Sequence, residues 1–570
     1  LVFLTYQEDC LPQLHWKLKP AAPAGFLAGE NGFSHLIKQI FYNRGLETFS
    51  SVSAFLEGGE SLSHDPYLMP DIRQATSRIY QALLSGEIMA VYGDFDTDGI
   101  TGTVLLVQAI QKLGGTVYPY IPHRMNEGHG INRAALNELH DLGVTLIITT
   151  DCGVTGIAET RQAKRKGIDI IITDHHNPLE ELPAAVAIVN PKRNDSDYPF
   201  RELSGVGVSY KLVQALYESI GKTDETDNFL DLVALGTIAD MMPLVGENRY
   251  LVKRGLEKIN SDPRLGIRMM MEFAGLRPEK VTSEDVSWAL APRLNAAGRL
   301  EHALGGYNLL VTEDWKEAHR LASRLEEQNL ERQKMTLKAC THARGQILGQ
   351  EAGSLLIARA DEYPAGIIGL VAGRIANEFY RPAIVIKTGQ KVCQGSCRSI
   401  AEFDIINAIN SLSGYLNRYG GHPQAAGFSL KTGNLASFLQ EMDRIAREKL
   451  EGLDLKPSLE IDAEVTLNEI GGRAYQAISV MAPFGKGNPV PVLASRGVEI
   501  IKCRQMGSTG KHLRLQVKNC GAVWDVVAFG QGDNLEDVKS RMDIAFNLEQ
   551  DEWNGETRLR LKLLDMKPSD

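Results

Sequence analysis

The sequence predicts an α/β protein in which a parallel-sheet domain is joined by a long helix to a smaller α/β domain, followed by an all-β barrel. Three observations predict it. From about residue 80, short apolar runs alternate with helical stretches, the pattern of parallel strands linked by crossover helices. Thr312 to Gly349 is densely charged, free of proline and carries one helical apolar face. After about residue 455, apolar and polar residues alternate with the period of half-buried strands. The 570 residues suffice for about three or four domains. With 43% hydrophobic and 23% charged residues, the chain is neither a low-complexity array nor a disordered tract.

The net charge is −10, from 61 basic and 71 acidic residues, so the chain cannot coat nucleic acid by bulk charge and would need a local groove. Seven scattered cysteines suit a reducing cytoplasm better than a disulfide scaffold. No apolar run approaches the ~18 residues that span a bilayer, and Leu1-Val2-Phe3-Leu4 is too short for a signal core. Residues 1–15 are expected to be disordered, and the segment 1–50 partly so.

The first four strands are expected at Ile88–Tyr92, Val144–Ile148, Ile168–Ile172 and Ala185–Val189. Helices are expected at Thr103–Leu113, Arg133–Leu142 and Ala158–Lys166, the first two closed by Gly114 and Gly143. Residues 229–300 read as mostly helical. Ala318, Leu321, Ala322 and Leu325 then repeat at i, i+3, i+4 and i+7, as in a connecting helix. Strands near Leu355–Ile357 and Ala383–Ile386 open the second α/β unit. His512–Lys518 and Arg558–Leu563, the latter preceded by an Asn554-Gly555 hairpin turn, suggest a small barrel of OB type. Arg558, Arg560 and Lys562 alternate with Leu559, Leu561 and Leu563, which would make one strand face cationic.

The first three strands end in acidic clusters: Gly93-Asp94-Phe95-Asp96-Thr97-Asp98-Gly99, Thr150-Asp151-Cys152-Gly153 and Thr173-Asp174-His175-His176. Ligands of open parallel sheets bind outside the carboxyl ends of the strands, so the three clusters converge on one crevice. Three aspartates in five residues repel one another unless cations neutralise them, and carboxylates with an imidazole suit Mg²⁺ or Mn²⁺. A lone aspartate would be explained as a helix cap; three of them with Asp151 and a His-His pair would not.

In this order, the three motifs resemble the DHH phosphoesterase superfamily. Leu235-Gly236-Thr237-Ile238-Ala239-Asp240 is a fourth element of its pattern. The resemblance implies that Asp96, Asp98, Asp151, His175 and Asp240 bind two divalent cations, Mn²⁺ or Mg²⁺, with Asp94 a ligand or close partner and His176 facing substrate phosphate. Gly395-Ser396-Cys397-Arg398-Ser399 and Gly420-Gly421-His422-Pro423-Gln424-Ala425-Ala426-Gly427 read alone as ordinary glycine-rich turns. Following a DHH region and a connector, they are similar to the DHHA1 domain, where backbone N–H groups with Arg398 and His422 would grip a phosphate.

The resemblance is closest to the RecJ exonuclease branch, through Ser204-Gly205-Val206-Gly207-Val208 and Pro292-Arg293-Leu294-Asn295-Ala296-Ala297-Gly298-Arg299-Leu300. Cys152, Cys397 and Asp361-Glu362-Tyr363-Pro364 depart from the usual pattern. By resemblance, Arg293, Asn295, Arg299, Arg374, Ser396, Arg398, Gly420, Gly421 and His422 would join His176 in binding substrate. The implied domains are DHH over 51–311, a connecting helix over 312–350, DHHA1 over 351–452 and an OB-like nucleic-acid-binding domain over 455–570.

The implied activity is two-metal, 5′→3′ hydrolysis of single-stranded DNA to nucleoside 5′-monophosphates in recombination and repair. A cytoplasmic monomer aided by single-strand-binding protein and a RecQ-type helicase would fit. Competing readings are a phosphodiesterase for short oligonucleotides or dinucleotides, which the barrel argues against, and a non-catalytic replication scaffold, in which the acidic ligands would be eroded. Because the sites expected lie before residues 245 and 430, removal of residues 455–570 is expected to leave both intact.

Overall fold

The computed structural model describes residues 14–29, 32–124, 126–349, 353–507, 510–553 and 556–569. Residues 1–13 and the Asn554-Gly555 turn lie outside them. The chain divides into two compact units. One holds residues 48–330 with 481–490; the other holds residues up to 47, 331–480 and 491–570. A first strand, β1 (His15–Leu18), belongs to the second unit.

The first unit is built on β2 (Ile88–Gly93), β3 (Thr116–Tyr120), β4 (Leu146–Thr150), β5 (Asp169–Thr173) and β6 (Ala187–Val189), a parallel sheet of order β3-β2-β4-β5-β6. Both faces are covered, which is why the central strands are continuous apolar runs. Met89, Val91, Leu146 and Ile148 enter one apolar core, while Ala90, Tyr92, Ile147 and Ile172 enter the core on the opposite face.

The register decides where the chemistry falls. Gly93 stands beside Thr150, and Thr150 beside Thr173. Asp94, Asp151 and Asp174 therefore leave the sheet from one row. β3 is not among the strands expected from the sequence, because Pro119 interrupts its apolar pattern; it lies at the sheet edge, where proline is tolerated. The helix expected from Thr103 begins at Thr97, since Asp96 caps it.

The helix Trp315–Leu348 carries Ala318, Leu321, Ala322 and Leu325 into the first unit's core. In the second unit, β7 (Leu356–Ala360), β8 (Ala383–Lys387), β9 (Val392–Arg398), β10 (Leu416–His422) and β11 (Ala425–Lys431) form a mixed sheet of order β10-β11-β9-β8-β7. β1 pairs in parallel with β12 (Ser458–Ile461), and Trp16 Nε1 donates to Asp565 at 2.6 Å. Residues 14 and 15 thus do not belong to the disorder expected of residues 1–15: their order comes from partners more than 400 residues away, which no local pattern reveals.

The barrel comprises β13 (Ala463–Glu464), β14 (Leu493–Met506), β15 (His512–Asn519), β16 (Ala522–Ala528), β17 (Arg541–Trp553) and β18 (Glu556–Pro568), closed by pairing of β14 with β17. Its β18 face is not the cationic surface expected. The register sets Arg560 against Glu549 and Arg558 against Asp551. Arg560 pairs with Glu549 at 2.6 Å and Asp551 at 2.7 Å, and Arg558 pairs with Glu556. The acids come from the strand across the hairpin and from β18's own first residue.

A second correction concerns separability. Residues 481–490, within the expected barrel region, belong to the first unit. Arg249 is fully buried, and its guanidinium donates to the carbonyls of Phe55 at 2.6 Å, Met481 at 2.8 Å and Ala482 at 2.8 Å while lying over the Phe55 ring. Removal of residues 455–570 would strip two of these acceptors from a buried cation. Hydrogen bonds to charged groups are worth about 1.5–3 kcal/mol each, and orphaned ones cost more. Arg249→Ala should therefore destabilise the first unit by more than about 3 kcal/mol. The truncated protein should melt well below the full chain in a calorimetric scan; an unchanged melting temperature in both would show that the segment merely rests on the surface.

Candidate metal centre

Each acidic side chain is placed by backbone geometry. Asp96 Oδ1 caps the helix Thr97–Lys112, accepting from the N–H of Asp98 at 3.0 Å and of Gly99 at 3.1 Å. Capping and a place in the cluster are therefore not alternatives. Asp98 turns its carboxylate onto the N-terminus of the helix Gly205–Glu218, accepting from Gly205 N–H at 2.7 Å and Val206 N–H at 2.9 Å. Asp151 has a left-handed backbone, φ 60°, which disfavours a side chain. A Cβ on Gly205 would lie 2.5 Å from Asp151 Cβ, so glycine is what lets the helix start there. Asp240 ends the helix Leu230–Ala239.

Asp174 is the organiser rather than a member of the cluster. Its oxygens accept from the backbone N–H of Val154 at 2.9 Å, His175 at 2.8 Å and His176 at 3.1 Å, and lie 2.8 Å from His176 Nδ1. Burial opposes its charge, but the His176 bond and both imidazoles outweigh burial and hold its carboxyl well below the usual range. The same pair keeps the His176 imidazole above its ordinary pKa despite burial.

His175 Nε2 sits 3.1 Å from Asp151 Oδ1, 3.6 Å from Asp240 Oδ2 and 4.0 Å from Asp98 Oδ2. Neither His175 Nε2 nor Asp151 Oδ1 has a hydrogen-bond partner among the described residues. Three overlapping groups, Asp94–Asp96–Asp151, Asp98–His175–Asp240 and Asp151–His175–His176, each bring one ligand atom per residue within 4.8 Å of the others. Burial, and then the neighbouring carboxylates, push the Asp98 and Asp151 carboxyls well up. Burial and Asp96 push Asp240 up to about 7, and burial and His176 push His175 down to about 3. Buried carboxylates that resist ionising together, beside a neutral imidazole with a free ring nitrogen, are the donor set that Mg²⁺ or Mn²⁺ takes. The residues fit such ions.

The other expected residues divide. Asn295 Oδ1 accepts from Thr97 N–H at 2.9 Å and Thr97 Oγ1 at 3.0 Å, so it steadies the acidic loop. Arg293 turns to Glu326 at 2.5 Å and to the Ala289 carbonyl at 2.7 Å. Arg299 lies half-buried in the same helix, Ala291–Leu300. In the second unit, Arg374 bonds the Cys340 thiol.

The glycine-rich segments are not turns: they are β9 and the β10–β11 hairpin, with only Pro423-Gln424 at the bend. Gly395 is needed for packing, since its Cβ would meet the Phe428 ring at 2.1 Å. The register aligns Ser396 with Gly427 and Gly420, and Arg398 with Ala425 and His422. Ser396, Arg398, Gly420 and His422 thereby share one face of the sheet, with Gly421 between the last two. Cys152 and Cys397, the departures from the family pattern, are buried.

The cations around the cluster were not foreseen from the sequence. His129 Nδ1 lies 3.1 Å from Asp94 Oδ1, and that bond, against burial, raises its imidazole to about 9. Arg124 stacks on Phe95 at 4.8 Å, its charge supported by Asp94 and Asp96 although burial lowers its pKa. Both come from the loop after the unrecognised β3; their signal was a histidine- and glycine-rich run, His123 to Gly130, between two strands.

The profile described as "DHH family, N-terminal domain" matches residues 88–237, "DHHA1 domain" residues 352–448 and "RecJ OB domain" residues 461–565. The single-stranded-DNA-specific exonuclease RecJ of Bacillus subtilis is 35% identical over 541 residues, covering 94% of this chain and 68% of the relative. That of Dickeya dadantii is 31% identical over 564 residues, covering 94% and 96%. The crystal structure of Thermus thermophilus RecJ in complex with Mn²⁺ superposes with a TM-score of 0.85 at 28% identity, over 98% of this chain and 80% of that one.

Since Asp174 holds the backbone that carries the ligand His175 without joining the cluster, Asp174→Ala should weaken Mn²⁺ binding by about 10–100-fold, as loss of an outer hydrogen-bond partner does. Calorimetric titration with Mn²⁺ checks this; wild-type affinity in the variant would remove Asp174 from its organising role.

Proposed function

The chain belongs to the RecJ family of single-stranded-DNA-specific exonucleases, and from that premise we propose that its acidic crevice holds two divalent cations, Mg²⁺ or Mn²⁺, and degrades single-stranded DNA 5′→3′ to nucleoside 5′-monophosphates. The observation that carries the reading is the convergence of Asp94, Asp96, Asp98, Asp151 and Asp240 with His175 at the carboxyl ends of three adjacent strands. These six side chains are the ligand set. When bound, the cations supply the charge that makes a water nucleophilic and stabilises the leaving oxygen.

The chain's own residues do the rest. His176 has its Nδ1 tied to Asp174 and its side chain 35% exposed, so its other ring nitrogen is free to donate to a phosphate oxygen. Asn295 holds the acidic loop through Thr97. Arg124 supplies a guanidinium beside Asp94 and Asp96, suited to a phosphate oxygen on that side. Ser396, Arg398 and His422, on one sheet face of the second unit and flanked by Gly420 and Gly421, are suited to bind a phosphate there. Arg299 adds a further substrate contact.

The barrel carries a groove of about 910 Å³ lined by Trp524 and by Arg514, Arg558 and Arg560, with the carboxylates Asp525, Asp551 and Glu556 that pair with them. Stacking and short-range donors there, rather than a uniformly positive face, hold the strand. Among the described residues no helix is long and apolar enough to cross a membrane. The reading makes the protein a cytoplasmic monomer in recombination and repair, fed by a RecQ-type helicase and single-strand-binding protein. A non-catalytic scaffold would not need this converging acidic set.

Hydrolysis of oligonucleotides labelled at either end should need Mg²⁺ or Mn²⁺, stop with chelator and release the 5′ label first. Asp96→Ala or Asp151→Ala should lower kcat by about 10³-fold or more, equivalent to ~4 kcal/mol, while DNA binding survives. Full activity in either purified variant would sink the assignment. His175→Ala should regain part of its activity at raised metal concentration, whereas His176→Ala should raise KM without altering the metal requirement. Identical metal titrations for the two would refute this division of labour.

A further inference from the structure

The segment that anchors Arg249 also carries an exposed cation to the crevice. Residues Met481–Val490 fold as a tight loop inside the first unit. Gly485 and Asn488 exchange backbone hydrogen bonds at 2.9 and 3.1 Å, leaving Lys486 and Gly487 at the tip. Asn488, buried, donates to the carbonyls of Met481 and Pro483 at 2.9 Å each, and Ser283 Oγ donates to the Phe484 carbonyl at 2.6 Å.

The tip is pinned just beyond Asp240. The Leu244 N–H donates to the Lys486 carbonyl at 2.7 Å. A Cβ on Gly485 would lie 2.8 Å from the Leu244 side chain, and one on Gly487, whose φ is +78°, 3.2 Å from Pro243. The left-handed backbone of Gly487 is what favours glycine at this tip. Lys486 is solvent-exposed, its backbone fixed to Leu244, four residues beyond Asp240.

A second lysine is placed through the backbone of the histidine pair. Lys192 follows Asn190, which accepts from the Lys192 N–H at 2.8 Å and donates to the His176 carbonyl at 2.9 Å. The crevice thus has Arg124 and His129 by Asp94 and Asp96, and Lys192 and Lys486 by Asp240. A nucleic-acid strand laid across the carboxylates presents phosphates on both sides of the reacting one, each seeking a cation.

We propose that Lys486, together with Lys192, forms a phosphate subsite on the Asp240 side of the crevice, binding the backbone phosphate next to the one being hydrolysed. This rests on the exonuclease reading above. It makes a residue of the barrel's sequence region part of the catalytic unit, and a positive charge at the tip a determinant of substrate affinity. Lys486 binds and positions; it does not take part in bond-making.

The test uses the full-length chain, with Lys486→Ala, Lys486→Arg, Lys486→Glu and Lys192→Ala, on a single-stranded oligonucleotide at saturating Mn²⁺. Lys486→Ala should raise KM about tenfold, the scale of one charge-assisted hydrogen bond, while kcat falls much less. Lys486→Arg should stay near wild type, and Lys486→Glu should be worse than Lys486→Ala. The slope of log affinity against log salt, measured by fluorescence anisotropy in chelator, should fall by about 0.7, because the variant neutralises one phosphate fewer. Because Lys486 is exposed, the variants should melt with the wild type. A wild-type KM and salt slope in Lys486→Ala would overturn the subsite. So would a shift in the Mn²⁺ requirement alone, which would mean that the lysine only offsets the charge of Asp240. The wild type and Asp151→Ala serve as controls: a wild type that leaves single strands intact would remove the exonuclease reading and the subsite with it, whereas an active wild type matched by Lys486→Ala would remove the subsite alone.

Discussion

Repulsion between buried carboxylates is the constraint around which the first unit is built. Asp96, Asp98, Asp151 and Asp240 would separate if their backbones were free, since burial and proximity both oppose their charge. The scaffold denies them that freedom. Thr150 and Thr173 at the strand ends both bond Ser209 Oγ, at 2.7 and 2.9 Å, tying β4 and β5 to the helix that receives Asp98. Glycine stands where the chain closes on three of the crevice aspartates: Gly99 against the Asp94 backbone, Gly205 against Asp151 and Gly236 against the Asp98 carboxylate.

Much of this frame was legible in the sequence for a specific reason. A strand buried on both faces leaves a continuous apolar run, and an aspartate directly after such a run cannot be part of the core. Asp94, Asp151 and Asp174 announced themselves in that way. Their alignment in one row depends on register, which the sequence does not encode locally, and Asp240 came only through family resemblance. The surrounding cations were missed because loops supply them. His129 and Arg124 follow an edge strand hidden by Pro119, and Lys486 arrives from more than 200 residues away.

Two misreadings share a cause. Gly395 looked like a residue of a turn, yet it makes room for Phe428 on a strand paired on both sides. Arg558 and Arg560 looked like a cationic face, yet Glu549, Asp551 and Glu556 neutralise them. In each case the deciding neighbour lies across a strand pair or outside the alternating pattern that was read, so counting along one strand gives the wrong environment.

The Arg249 clamp carries a consequence for how the protein is made. Chains emerge from the ribosome N-terminus first, and Arg249 precedes its acceptor Met481 by 232 residues. At roughly 5–20 residues per second, the nascent chain spends about 10–50 s with that guanidinium lacking its final partners. Through this interval the strands of the sheet have already been made, while the loop that completes the Arg249 acceptors has not. Completion of the first unit is thus tied to translation of Met481 and Ala482, so that a product ending before them carries a buried guanidinium short of two acceptors.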